Sequence, residues 1–301
     1  MVISVIEIPQ KEIKMDRYIN CIAHKSSEGN LLIGSEYTAL FDCGMMFCSA
    51  QTIQNVKNAL KGRSLDFIFM THTHYDHIGA LPFFKNEWND AHVVTCAAGA
   101  EVLLKSTPRR VIRELSIAAA KANNAEFNAQ YSDDLFKADI TVKDNDIISL
   151  GDIKVQTLET PGHTRDSLSF FVPELELLIL NETPGVLLPD GKMYPCYLTS
   201  YNDTIKSIEK CSRLNYKHLS IPHRGAAGKE TDGIFEKALE TNNACRDFII
   251  SMKEKNLSDN EMLDMFFNKY ASETLLGYQP KEAFFANAGA TISCTLKECC
   301  A

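Results

Sequence analysis

The chain has 301 residues, 45% of them hydrophobic, enough for one large domain or two small ones around a substantial core. Its 31 basic and 39 acidic residues leave a formal charge of −8, which argues against a protein built mainly to hold nucleic acid, though not against a local basic patch for an anionic substrate. No apolar run approaches the roughly 18 residues of a membrane span. The first residues read as a strand rather than a signal peptide. Ten cysteines in a chain of this length then read as free thiols in a reducing cytoplasm.

Strand-like runs open the chain at Val2 to Ile8, Cys21 to Ala23, Leu31 to Gly34 and Tyr37 to Phe41, the last ending in Asp42-Cys43-Gly44. A helix is predicted over Ser49 to Leu60. The run Leu65 to Met70 reads as a buried strand and leads into Thr71-His72-Thr73-His74-Tyr75-Asp76-His77. Three of the eight histidines stand in that segment, with an aspartate among them. Imidazole and carboxylate delivered together from a strand end suit zinc, iron or manganese. Phe83, Phe84 and Trp88 follow, as core side chains or as the lining of an apolar pocket. A strand at His92 to Thr95 and a helix at Ala97 to Leu104 come next.

Residues 107–137 read as a helical insert, with Pro108 near the first turn of a helix over Arg109 to Asn123. It forms either a lid over the site or a packed surface element. Strands resume at Ile147 to Leu150, Ile153 to Leu158, Ser167 to Val172 and Leu177 to Leu180. Between them stands Thr160-Pro161-Gly162-His163-Thr164, and after the last stands Asn181-Glu182. The segment Leu187 to Pro195 is expected to reach a pocket rim. Tyr201 to Leu214 is helical, and His218 to Ile221 is a strand running into Pro222-His223-Arg224-Gly225. Beyond it lie helices at Phe235 to Lys253, after a capping box at Ser258 to Glu261, and at Lys281 to Lys297, the last preceded by a turn at Gly277 to Pro280. Cys299-Cys300 reads as a frayed end.

The strand-borne H-x-H-x-D-H, the later T-P-G-H-T and the final P-H-R-G resemble the metallo-β-lactamase-fold hydrolase superfamily over roughly residues 1–226. The resemblance implies an α/β fold, a four-layer αββα sandwich, with residues 227–301 as a helical C-terminal appendage. The layout is similar to that of hydroxyacylglutathione hydrolases and of the quinolone-response thioesterase, in which such an appendage shapes the substrate pocket. It also implies a metal centre of His72, His74, Asp76, His77, His163, Glu182 and His223, with Asp42 supporting it from behind. Two departures stand out. Glu182 replaces the usual aspartate, and His223 comes one residue early, with Arg224 at the usual histidine position. A shift at the strand end would return His223 to the metal and turn Arg224 toward an anionic group of the substrate.

Such a centre holds two divalent cations, zinc first and iron or manganese as alternatives. A water between them loses its proton near neutral pH and becomes the nucleophile, with Asp76 orienting it or taking its proton. Asp166 or Ser167 is a candidate to hold a ligand imidazole, and Tyr75 is expected to pack away from the site. The expected function is a hydrolase of a small ester or thioester, with no nucleic-acid or membrane partner and a dimer as one possible assembly. Two alternatives stay open: a mononuclear iron sulfur dioxygenase, and a binding or regulatory member of the fold without turnover.

Overall fold

Alternation along the strands decides the layering. In the adjacent pairs Leu31/Leu32, Leu40/Phe41, Ile68/Phe69 and Val93/Val94, the first residue packs against helices and the second between two sheets. Successive side chains of a strand point to opposite faces, so a strand apolar on both faces must be covered on both. The computed structural model describes residues 14–125, 130–227, 231–277, 279 and 281–300. The strand expected at Val2 to Ile8 lies outside them, as do Tyr278 and Pro280 of the turn expected before the last helix.

The first sheet runs β1 (Tyr18–Asn20), β2 (Asn30–Ile33), β3 (Thr38–Phe41), β4 (Phe67–Phe69), β5 (His92–Cys96) and β6 (Ile140–Val142), in that order across the sheet. Its first three strands are antiparallel, and β3 to β6 are parallel. Parallel neighbours need crossovers. Helices α1 (Ser49–Leu60), α2 (Tyr75–Ile78), α3 (Leu81–Glu87), α4 (Ala97–Leu104) and α5 (Ser106–Ala122) lie in these connections and cover the outer face through Val56, Leu60, Leu81, Phe84, Leu103 and Ile112. Phe83 and Trp88 pack against the same cluster, so the aromatics after the histidine segment belong to the core.

The second sheet contains β7 (Ile147–Ser149), β8 (Lys154–Glu159), β9 (Leu168–Val172) and β10 (Leu177–Ile179). A hairpin of β11 (Val186–Leu187) and β12 (Met193–Tyr194) and helix α6 (Tyr201–Ser212) precede β13 (His218–Ile221) and β14 (Gly225–Ala227). The order across the sheet is β14-β13-β10-β9-β8-β7, with only β10 and β13 parallel. Its inner residues Val155, Leu168, Phe170, Val172, Leu177 and Ile179 meet the first sheet. Its outer residues Leu158, Leu178 and Leu219 meet α6 and the start of α7 (Ile234–Glu254). The result is the expected helix–sheet–sheet–helix sandwich.

Helices α7, α8 (Asp259–Tyr270), α9 (Glu273–Leu276) and α10 (Lys281–Cys299) build a further cluster from Ile249, Met252, Phe266, Phe284 and Ile292. The capping box read at Ser258 and Glu261 is present at the start of α8. The cluster takes in Tyr194 and Tyr197 from the β12 region, so these helices are packed on the sandwich.

Phe170 is fully buried, with its ring 5.3 Å from Phe41 and 5.2 Å from Phe69. Phe170→Ala is expected to cost about 3–5 kcal/mol of folding stability, read from urea unfolding. A loss below about 1 kcal/mol would contradict this packing.

Candidate metal centre

Five strands, β3, β4, β8, β10 and β13, end beside one another, and the loops after them carry the candidate residues. The two sheets are tied there. The Leu168 N–H donates to the Thr71 carbonyl at 2.7 Å, and the Tyr18 hydroxyl donates to Ser220 Oγ at 2.8 Å. Two groups of side chains result. His72, His74, His163 and Glu182 form one; Asp76, His77, Glu182 and His223 form the other. Within each group the ligand-type atoms lie within 4.8 Å of one another.

Glu182 belongs to both groups and faces each with a different oxygen. Its Oε2 lies 3.0 Å from His163 Nε2 and 3.9 Å from His72 Nε2. Its Oε1 lies 2.9 Å from His223 Nε2 and 4.0 Å from His77 Nε2. Asp76 Oδ2 completes the second group, 3.9 Å from His77 Nε2 and 3.8 Å from His223 Nε2. His74 presents Nδ1, 3.0 Å from His163 Nε2.

The far side of several rings is held. His77 Nδ1 donates to Asp42 Oδ2 at 2.8 Å, and Asp42 Oδ1 accepts from the Thr71 N–H at 2.8 Å. His72 Nδ1 lies 3.1 Å from Thr71 Oγ1, and His163 Nδ1 donates to the Cys196 carbonyl at 2.6 Å. Fixing one ring nitrogen turns the other toward the site. Ser167 bonds Thr164 instead of an imidazole, tightening the turn that carries His163. Gly162 is required in that turn: at φ +142 a Cβ would stand 2.1 Å from Thr204 Oγ1 and 2.8 Å from Thr204 Cα on α6. Asn181 couples the β8 and β10 ends, donating to Thr160 Oγ1 at 2.7 Å and accepting from the Thr183 N–H at 2.6 Å.

The altered P-H-R segment has a local explanation. The Arg224 N–H donates to the Ile221 carbonyl at 3.0 Å, closing a four-residue turn with Pro222 second and His223 third. His223 takes φ +62, the left-handed value that a type II turn demands of its third residue. The backbone turn itself brings the early histidine inward. Arg224 Nε donates to the Leu187 carbonyl at 3.1 Å, and Arg224 is not among the described residues lining the cavity over the centre.

That cavity, of about 260 Å³, is lined near the centre by His74, Asp76, His163, Glu182 and His223. Tyr75 packs against the core cluster under the first sheet's helices, as expected, and also lines the cavity. The opposite wall comes from Leu115 on α5, Val186 and Tyr194 of the hairpin, Leu275 on α9, and Glu282, Ala283, Ala286 and Asn287 on α10. Of residues 187–195, expected at a rim, Tyr194 lines the cavity, and α5 supplies a wall through Leu115.

Burial dominates the electrostatics. It pushes the His72 imidazole well below its usual range, helped by His77 and His74, and holds His74 down to about 3 together with His163. Burial opposes charge on His77 as well, but Asp42 and Asp76 raise it. Burial works against the Glu182 carboxylate, yet His163 and its hydrogen bonds hold it well below the usual range. Burial lifts the Glu28 carboxyl to about 7 against the pull of His223 and His77.

Sequence reasoning does not single out Thr71, Cys196 or Glu28. Thr71 sits inside the histidine motif and is legible there as a neighbour. Cys196 acts through its carbonyl, which leaves no signal in residue type.

We propose that Asp42 positions His77. Asp42→Ala is expected to weaken metal uptake by about 10- to 100-fold, measured by titration with zinc, while circular dichroism stays native. Unchanged affinity would contradict the proposal.

The metallo-beta-lactamase superfamily model matches residues 30–223. The probable metallo-hydrolase YqgX of Bacillus subtilis is 28% identical over 182 residues, covering 59% of this chain and 75% of that protein. A hydroxyacylglutathione hydrolase of Brucella anthropi is 27% identical over 130 residues, covering 42% of this chain and only 37% of that enzyme. Among solved structures, a metallo-beta-lactamase family protein from Thermus thermophilus aligns with a TM-score of 0.58 at 18% identity, over 94% of this chain and 92% of that one. An archaeal superfamily protein from Sulfolobus tokodaii gives a TM-score of 0.54 at 20% identity, over 72% of this chain and 80% of that one. These two likenesses concern the fold. With the family model covering well over half of its length, the chain belongs to the metallo-beta-lactamase superfamily.

Proposed function

We propose that this chain is a metal-dependent hydrolase holding two divalent cations, zinc first and iron or manganese as alternatives, and acting on a small ester or thioester. The observation that carries the reading is the division of Glu182 between two groups of ligand-type atoms. The donor set fits cations. His72 Nε2 and His77 Nε2 are buried without a hydrogen-bond partner, and both face Glu182. Buried polar atoms are rarely left unpaired, so such orphans ask for a ligand.

His72, His74, His163 and Glu182 would hold one cation; Asp76, His77, Glu182 and His223 would hold the other. Cations bound there polarise a carbonyl oxygen and bring the pKa of water toward neutrality. Asp76 belongs to the second group and also lines the cavity, so its carboxylate oxygen not turned to the cation would accept and return a proton. Leu115, Val186, Leu275 and Ala283 offer an acyl group an apolar wall and shield the reaction from water. The likeness to a hydroxyacylglutathione hydrolase supports a thioester or related ester. We also propose residues 227–301 as an appendage whose α9 and α10 complete the pocket. All ten cysteines are free, which supports a reducing compartment such as the cytoplasm. Among the described residues, no helix is long and apolar enough to cross a membrane.

The test is turnover by the zinc-loaded chain on acyl-CoA, acylglutathione, lactone and phosphodiester substrates. Hydrolysis of a thioester or lactone is expected. One iron per chain with oxygen uptake and no hydrolysis would contradict the proposal. Glu182→Gln should abolish activity and reduce bound metal, because a neutral amide is a poor partner for these cations. Ala283→Trp should raise KM for bulky acyl groups by about tenfold, equivalent to about 1.4 kcal/mol of binding, and leave metal content unchanged. Equal KM in the variant would remove α10 from the pocket wall.

A further inference from the structure

His223 occupies a backbone position that suits glycine, and something must hold it there. Its N–H donates to Glu28 Oε1 at 2.7 Å, across 195 positions of sequence. Glu28 is 5% exposed, and its Oε2 accepts from Asn30 Nδ2 at 3.0 Å. A buried carboxyl group whose two oxygens each accept a hydrogen bond is held in one orientation and is a rigid acceptor.

The loop that carries Glu28 is itself anchored to the centre. Gly44, at φ +76, lies so close that a Cβ there would stand 2.1 Å from Ser27 Oγ and 2.6 Å from the Glu28 carbonyl oxygen. The Met45 N–H donates to Ser27 Oγ at 3.0 Å, and the Cys43 and Gly44 N–H groups donate to the His77 carbonyl at 2.8 and 2.7 Å. One turn, Asp42-Cys43-Gly44, thus touches His77 directly and seats the Glu28 loop beside His223.

We infer that Glu28 is a positioning residue for the second cation group: it fixes the left-handed turn at His223 and so aims that imidazole at Glu182. The inference rests on the two-cation reading above.

The test is a calorimetric titration of the full metal-stripped chain with zinc ion. The native chain should take up two equivalents. Glu28→Ala should keep one tight equivalent and bind the second about 10- to 100-fold more weakly, as loss of an outer support does elsewhere. Glu28→Gln, whose amide oxygen can still accept the His223 N–H, should restore the second equivalent. Should Glu28→Ala fail to fold, Glu28→Asp, one methylene too short, is read in the same way. Two equivalents of native affinity in the Ala or Asp variant overturn the inference, as does equal weakening of both equivalents. A native chain that takes up fewer than two overturns the two-cation reading, and the inference with it.

Discussion

One carboxylate facing two ways governs this rim. Glu182 follows β10, a strand flanked in its sheet by β9 and β13. It stands between His163 on one side and His223 on the other. In a buried site the interaction of a carboxylate with its neighbours is strong, and leaving it without opposite charge is costly. Cations, or protons in their place, must offset it. The strand ends around it therefore have to be held in register, and Asn181, Thr71 and Asp42 do so with short bonds.

Much of the regular part of the fold is legible from apolar runs and helix-forming composition. Helices over Ser49–Leu60 and Ala97–Leu104 and the strand His218–Ile221 have the expected bounds. Three-residue strands such as Tyr18–Asn20 and Ile140–Val142 are too short to show a period, and their existence depends on neighbours in the sheet. The histidine segment was legible as a cluster because its members are close in sequence. The approach of His223 was not fixed by its motif. It depends on a left-handed turn and on a carboxylate far upstream, neither of which residue spacing encodes.

The wall opposite the centre shows the same limit. Ala283, Ala286 and Asn287 lie on one helix, α10, and helical periodicity identifies that helix without saying what its face meets. Tertiary packing supplies the answer: Phe284, Ala288 and Ile292 bind α10 to the rest of the helical cluster, leaving Glu282, Ala283, Ala286 and Asn287 toward the cavity. Arg224 Nε donates to the Leu187 carbonyl, a contact that its motif position does not encode.

The central claim is that Glu182 lies between two cation positions. Anomalous diffraction at the zinc edge from crystals grown with zinc tests it most directly. The account predicts two peaks, one on each side of the Glu182 carboxylate and about 3.5–4 Å apart. A single peak, or peaks away from Glu182, would contradict it.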